Sequence, residues 1–268
     1  KGRKTMKKIS KFVLCFALLG SISGCAKPDE RTVDEKFVDS LQEGLDERWE
    51  LADTTDYSTD SFNKYLDAEL NKIQSFKKEK FENQQLKEQA DLYIDSLEKT
   101  KDITKYIDSN DFQFQQLYSP LYSQRVLALQ EINKIDPLQF DNEEDQEDFD
   151  NLLEEADLLK SVIDLTNGIQ FEKVKEDDEP EYDLYTADYE AKVTNDTNYQ
   201  FDYYNLTINL LDKDDVVLEQ TFASVNSWKK GETQRLSFMV TEKVEKVQIA
   251  SADYSVNNNA QTGTINFE

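Results

Sequence analysis

Histidine is absent from the 268 residues, and cysteine, proline and glycine are scarce, at two, four and seven. Without histidine there is no Ser-His-Asp or Cys-His triad, no HExxH zinc helix and no imidazole charge switch near neutral pH. The glycines (Gly2, Gly20, Gly24, Gly44, Gly168, Gly231, Gly263) fall in no G-x-G-x-x-G or G-x-x-x-x-G-K-[ST] context, so the usual phosphate cradles are missing. Positive charge is short too, with 31 Lys+Arg against 56 Asp+Glu and a formal charge of −25. Polyanions are held by clustered Lys and Arg, so nucleic acid is excluded as a partner. No motif asks for a cofactor.

What cations there are gather at the start. Lys1, Arg3, Lys4, Lys7, Lys8 and Lys11 precede the apolar stretch Phe12 to Ser23, and the first acidic residue is Asp29. That is the layout of a secretory signal peptide beginning at Met6. Twelve residues at about 1.5 Å each reach about 18 Å, too short for a hydrocarbon core of about 30 Å. The stretch ends Ile22-Ser23-Gly24-Cys25, which resembles the lipobox of bacterial lipoproteins. The resemblance implies that the Cys25 thiol takes a diacylglyceryl group and that cleavage follows Gly24. Small residues suit an extended backbone in a peptidase cleft, and a thiolate is the natural acceptor of the lipid.

Removing residues 1–24 discards six cations and no anion, so −25 becomes −31. It also discards Cys15, the only other cysteine, so the remaining chain can form no internal disulfide and must rest on core burial. Residues 25–32 read as a short tether, with two acyl chains giving a stable anchor. The expected location is the cell membrane, on its extracytoplasmic side.

From residue 33 to 167 apolar residues recur at spacings of three and four. Val33, Phe37, Leu41, Leu45 and Trp49 form one stripe, and Phe62, Leu66, Leu70, Ile73 and Phe76 form a second after Asp60-Ser61, read as its N-cap. Leu86, Ala90, Tyr93 and Leu97 form a third. Pro120 reads as the first turn of a fourth helix carrying Val126, Leu129 and Ile132, which Asp136-Pro137 stops. A last helix starts in the acidic run Asp141 to Asp150 and ends at Asn167-Gly168. The expectation is an antiparallel bundle of four to five helices whose carboxylates face solvent.

Residues 168–182 read as an acidic linker, although Ile169, Phe171 and Val174 alternate as a first strand would. From 183 to 268 the period is two. Tyr189, Ala191 and Val193 alternate with polar neighbours, as do Tyr204, Leu206, Ile208 and Leu210, then Leu236, Phe238 and Val240. Polar clusters at Asn195–Asn198, Asp212–Asp215 and Lys229–Glu232 separate them, a pattern that predicts an antiparallel β-sandwich. Ile208-Asn209-Leu210-Leu211-Asp212 resembles the F-x-L-Y-D motif of the FxLYD domains of bacterial envelope lipoproteins. The flanks Val193 to Thr197, Val216 to Leu218 and Gly231 to Thr233 agree, while Ile208, Leu211 and Asp215 stand where that family has Phe, Tyr and a turn Gly. The resemblance spans about Tyr185 to Tyr254 and implies an immunoglobulin-like fold with no catalytic residue. The fold class expected is thus α+β in two domains, a helical bundle followed by an immunoglobulin-like sandwich.

Candidate chemistry is sparse. Asp212, Asp214 and Asp215 are the weak calcium candidates, lacking the Gly and the twelfth-position Glu of an EF-hand, and a solvated hairpin turn explains them better. Ser-x-x-Lys occurs at Ser61/Lys64, Ser75/Lys78, Ser96/Lys99 and Ser227/Lys230, with no Lys-Thr-Gly to accompany it. The aromatic clusters Phe112-Gln113-Phe114 and Tyr199 to Tyr204 are core residues or stacking surfaces for glycans or peptides. The sequence therefore reads as a lipid-anchored, non-enzymatic envelope protein. Its expected role is to bind another envelope or partner-cell protein. The alternatives are an envelope hydrolase with an acidic pair acting on cell-wall glycan or peptide, and electrostatic capture of cationic peptide or calcium.

Overall fold

A computed structural model describes residues 30–52, 58–176, 185–257 and 261–267. The helices are α1 (Val33–Ala52), α2 (Thr59–Ile73), α3 (Gln84–Ile103), α4 (Asp111–Ile135) and α5 (Glu143–Asn167), with 3-10 turns at Gln74–Lys78 and Thr104–Tyr106. Side-chain caps set their starts. Thr32 and Glu35 form a reciprocal capping box, Thr32 N donating to the Glu35 carboxylate at 2.7 Å and Glu35 N to Thr32 Oγ1 at 3.1 Å. Ser58, Asn83, Asn110 and Asn142 each accept from a backbone N–H of the first turn that follows. The cap of α2 is thus Ser58, three residues before Ser61, because the helix begins a turn before its first buried apolar residue.

Pro120 lies inside α4 rather than at its start. Both Pro120 and Gln116, whose carbonyl loses its partner, are on the exposed side, where water can satisfy the carbonyl and the break in the ladder costs least. At the other end, α4 stops at Asp136 as the Asp-Pro pair requires, and the Gly168 N–H closes α5 on the carbonyls of Asp164 and Leu165.

The seven strands are β1 (Glu172–Glu176), β2 (Ala187–Thr194), β3 (Phe201–Leu211), β4 (Val217–Trp228), β5 (Thr233–Val240), β6 (Lys246–Val256) and β7 (Gln261–Asn266). They form two antiparallel sheets of order β1-β2-β5 and β4-β3-β6-β7. The segment read as a linker therefore contains β1, paired with β2. The charged residues around Val174 masked an edge strand, and residues 177–182 of that segment lie outside the described residues. Gly263 on β7 has a steric reason: a Cβ there would lie 2.5 Å from Tyr254 Oη across the pair.

Hydrophobic residues collect in two clusters. One is helical, built on Phe37, Leu41, Leu66, Ile73, Tyr93, Phe114 and Phe149. The other joins the inward faces of both sheets (Tyr189, Leu206, Ile208, Leu236, Phe238, Ala252) to Ala156, Leu159, Val162 and Leu165 of α5. Helix α5 thus gives its first turns to the helical cluster and its last turns to the sheets, with Leu152 packing on both. A buried hydrogen bond of 2.6 Å between Thr166 Oγ1 and Tyr204 Oη fixes α5 on β3, and Tyr204 packs edge-on against Phe201 and Trp228.

Candidate functional site

Cys25 and the lipobox residues Ile22, Ser23 and Gly24 lie outside the described residues. Asp212, Asp214 and Asp215 form the β3–β4 turn. The Asp212 carboxylate accepts from Asp214 N and Val216 N at 2.8 and 2.9 Å, Asp215 adopts a φ of 59°, and Lys246 pairs with it at 3.1 Å. Among the described residues no group of three or more His, Cys, Asp or Glu is arranged to hold a metal ion. Of the Ser-x-x-Lys pairs, Ser96 is buried and spends its hydroxyl on the Tyr93 carbonyl at 2.6 Å while Lys99 is exposed.

The helical half departs from expectation at its centre, where carboxylates do not all face solvent. Glu69 of α2 is fully buried and accepts from Arg48 of α1, from the Tyr93 hydroxyl of α3 and from Arg125 of α4, the last at 3.2 Å. Burial pushes the Glu69 pKa up, but the two guanidiniums and the Tyr93 hydrogen bond outweigh it and leave it below the usual carboxylate range. Arg125 is also buried, its guanidinium over the rings of Tyr93 and Tyr122, and Tyr122 donates to Glu155 of α5 at 2.8 Å. Burial and the Glu69 charge together raise the Tyr93 pKa. Gly44 lets α1 come this close, since a Cβ there would lie 3.0 Å from the Glu69 Cα. One polar chain thus crosses all five helices and fixes their register.

Sequence spacing could have found it. Glu69 continues Phe62-Leu66 toward Ile73, Arg48 follows Leu41-Leu45, and Arg125 lies one turn before Leu129. Charged residues on apolar stripes of three helices signal mutual pairing, because a buried charge without a partner costs several kcal/mol.

An acidic groove of about 630 Å³ runs along α1 between Glu43, Asp46, Glu47, Glu50, Leu51 and Lys72. Partial burial and the carboxylates of Asp145, Glu50, Asp141 and Glu43 raise the Asp46 pKa. Lys72 is held within the groove by Glu43 and Glu47 at 3.4 and 3.6 Å.

A different surface lies on the outer side of the sheet β4-β3-β6-β7. Strand register places Asn226, Tyr203, Ser255 and Thr262 in one cross-strand row, and Ser224, Asn205, Asp253 and Thr264 in the next. Phe222, Thr207, Ser251 and Asn266 make the third row, and Gln220, Asn209 and Gln248 the fourth. Side chains alternate between sheet faces, so these sit opposite the inward-facing Tyr204, Leu206, Ile208, Ala223 and Ala252, although Asn205 and Ser255 are themselves buried. Asp253 is the only charged residue among these paired positions, and Asn205 Nδ2 (3.2 Å) and Thr264 Oγ1 (2.6 Å) already donate to it. The outer face of the other sheet is ordinary by comparison, pairing Asp188 with Met239, Glu190 with Ser237 and Lys192 with Arg235.

Beyond β7 the neutral surface continues onto α4. A groove of about 440 Å³ is lined by Phe112, Gln115, Gln116 and Ser119 of the helix and by Thr264 and Asn266 of the strand. Phe112 is 72 % exposed, the highest figure for any large hydrophobic residue among those described, and Phe222 is 58 % exposed. The two aromatic clusters of the sequence divide here. Phe114, Phe201 and Tyr204 enter the core, while Phe112 and Tyr203 stay exposed at this surface.

No protein-family model matches the chain, and no curated protein matches it. Among solved structures it is similar to IrmA from Escherichia coli, with 16 % identity, coverage of 36 % of this chain and 83 % of that one, and a TM-score of 0.29. That likeness is too slight to carry an argument about function.

Proposed function

We propose that the protein is a lipid-anchored, extracytoplasmic binding protein of the bacterial envelope, held at the membrane through Cys25 and acting without catalysis. Its working surface is the outer face of the β4-β3-β6-β7 sheet with the adjoining α4 groove. The observation that carries this reading is the near absence of charge across four cross-strand rows of a chain whose formal charge is −25. Such a face can meet a partner with little desolvation cost, because uncharged amides and hydroxyls exchange water for partner hydrogen bonds nearly evenly. The sheet order β1-β2-β5 against β4-β3-β6-β7 supports an immunoglobulin-like sandwich, in keeping with the FxLYD-like segment from Ile208 to Asp212.

The test uses the chain with Cys25→Ser, so that no lipid retains it, labelled and incubated with isolated envelopes. Thr207→Glu, which puts a charge at the centre of the neutral face, should reduce retention severalfold, and Glu190→Gln on the opposite sheet should not. Equal retention of wild type and Thr207→Glu would overturn the assignment of this face. Palmitate labelling that persists in Cys25→Ser would overturn the anchor.

The acidic groove supports a second reading, capture of a cationic peptide on α1, because it gathers Glu43, Asp46, Glu47 and Glu50 around one cation, Lys72, and partial burial together with neighbouring carboxylates raises the Asp46 pKa. Binding there must fall steeply with salt. Capture that survives 0.5 M salt would exclude it.

A further inference from the structure

We propose that the neutral face binds an uncharged glycan chain, laid across the strands from the Phe112 groove toward Phe222. The inference rests on the binding-face assignment above and adds the chemical class of the ligand. Three observations converge on it. The first is charge. A polyanion would be repelled by this strongly acidic chain, and a polycation would find a single carboxylate on the face, Asp253, already accepting from Asn205 and Thr264.

The second is size. At about 4.8 Å between strands and about 6.8 Å between successive same-face residues, each position covers about 33 Å², so the fifteen positions of the four rows cover about 490 Å². A stable protein partner needs about 800 Å² on each side. A polymer chain one residue wide does not.

The third is the kind of groups present. Amides and hydroxyls donate and accept, matching the ring hydroxyls of a sugar, and exposed aromatics offer flat apolar surfaces to the C–H faces of the rings. Phe112 borders the groove at Asn266, one end of the third cross-strand row, and Phe222 occupies the other end of that row. Thr207 and Ser251 lie between them as a polar floor. The groove volume of about 440 Å³ is within the usual range for small-ligand sites, about 300–1,000 Å³.

The test titrates the full chain with uncharged oligosaccharides of graded length in gluco-, N-acetylgluco-, manno- and galacto-configuration, with sulfated and sialylated oligosaccharides alongside. At least one neutral series should bind, with affinity that rises with length and changes less than twofold between 50 and 500 mM salt. Phe112→Ala and Phe222→Ala should each weaken it about tenfold, with unchanged thermal unfolding because both rings are exposed. Glu190→Gln should leave it unchanged. No binding by any neutral series, a preference for the charged sugars, or indifference to both Phe substitutions would overturn the proposal. If envelope retention still responds to Thr207→Glu while every neutral sugar fails, the glycan assignment alone falls. Retention that ignores Thr207→Glu removes the binding face itself.

Discussion

Removing the Glu69 carboxylate is the sharpest perturbation of the helical half. In Glu69→Ala the Arg48 side chain, 15 % exposed, can swing toward solvent, but Arg125, 7 % exposed, cannot and is left as a buried cation facing the Tyr93 hydroxyl. Taking one partner from a buried ion pair costs about 3–5 kcal/mol, against a total stability of about 5–15 kcal/mol. At about 2–4 °C per kcal/mol for a chain of this size, the midpoint should fall by about 6–20 °C, read by circular dichroism or calorimetry. The triple variant Glu69→Met, Arg125→Met, Tyr93→Phe removes the charges and the orphan hydroxyl together and should recover most of the loss, since apolar replacement of a whole buried pair is close to neutral. The loss should also depend on pH. The native pKa of Glu69 lies below its unfolded value, so its contribution is complete above the unfolded value of about 4.5 and disappears as pH falls through the native pKa. The gap between wild type and Glu69→Ala should therefore narrow in acid. A loss below about 1 kcal/mol at neutral pH, or a triple variant as unstable as the single one, would refute the cluster as the element that fixes helix register.

Three further outcomes follow from the same structure. Asn195 is fully buried and ties the β2–β3 loop to the end of β4, donating to the carbonyls of Tyr199 and Trp228 and accepting from Thr197 N and Oγ1, so Asn195→Ala should cost about 2–4 kcal/mol in urea unfolding. Gly44→Ala should destabilise by about 1–2 kcal/mol in the same assay: overpacking against the Glu69 Cα costs about 1–3 kcal/mol, and alanine's helix propensity returns up to about 1 kcal/mol. Asp46→Asn should stabilise slightly, by less than about 1 kcal/mol, at neutral pH. The raised native pKa means that its charge opposes folding above that pKa, so the gain should vanish as pH falls and the wild-type carboxyl protonates.

Local signals carried much of the fold. Stripes such as Phe62-Leu66-Leu70-Ile73 and alternations such as Tyr204-Leu206-Ile208-Leu210 each report one element's buried face, and both reappear as core. What escaped were features that depend on other elements. Strand β7 buries only Ile265 and contains Gly263, so it has almost no alternation to read. Pro120 is tolerated because its side of α4 meets solvent, which the sequence around it does not reveal. Glu69 was legible as a charge on an apolar stripe, but its partners lie on three other helices. The neutral face was the least legible. Tyr203, Ser255 and Asn226 are far apart in sequence, and only strand register lines them up. The same holds for Phe112, whose groove is completed by a strand about 150 residues later.

Which face of the sheets does the binding is read directly by site-specific photo-crosslinking in intact cells. A photoreactive residue placed at Thr207 or at Thr264 should give covalent adducts, and one placed at Glu190 on the opposite sheet should give few. Adducts at Glu190 equal to or exceeding those at Thr207 and Thr264 would contradict the assignment of the binding face.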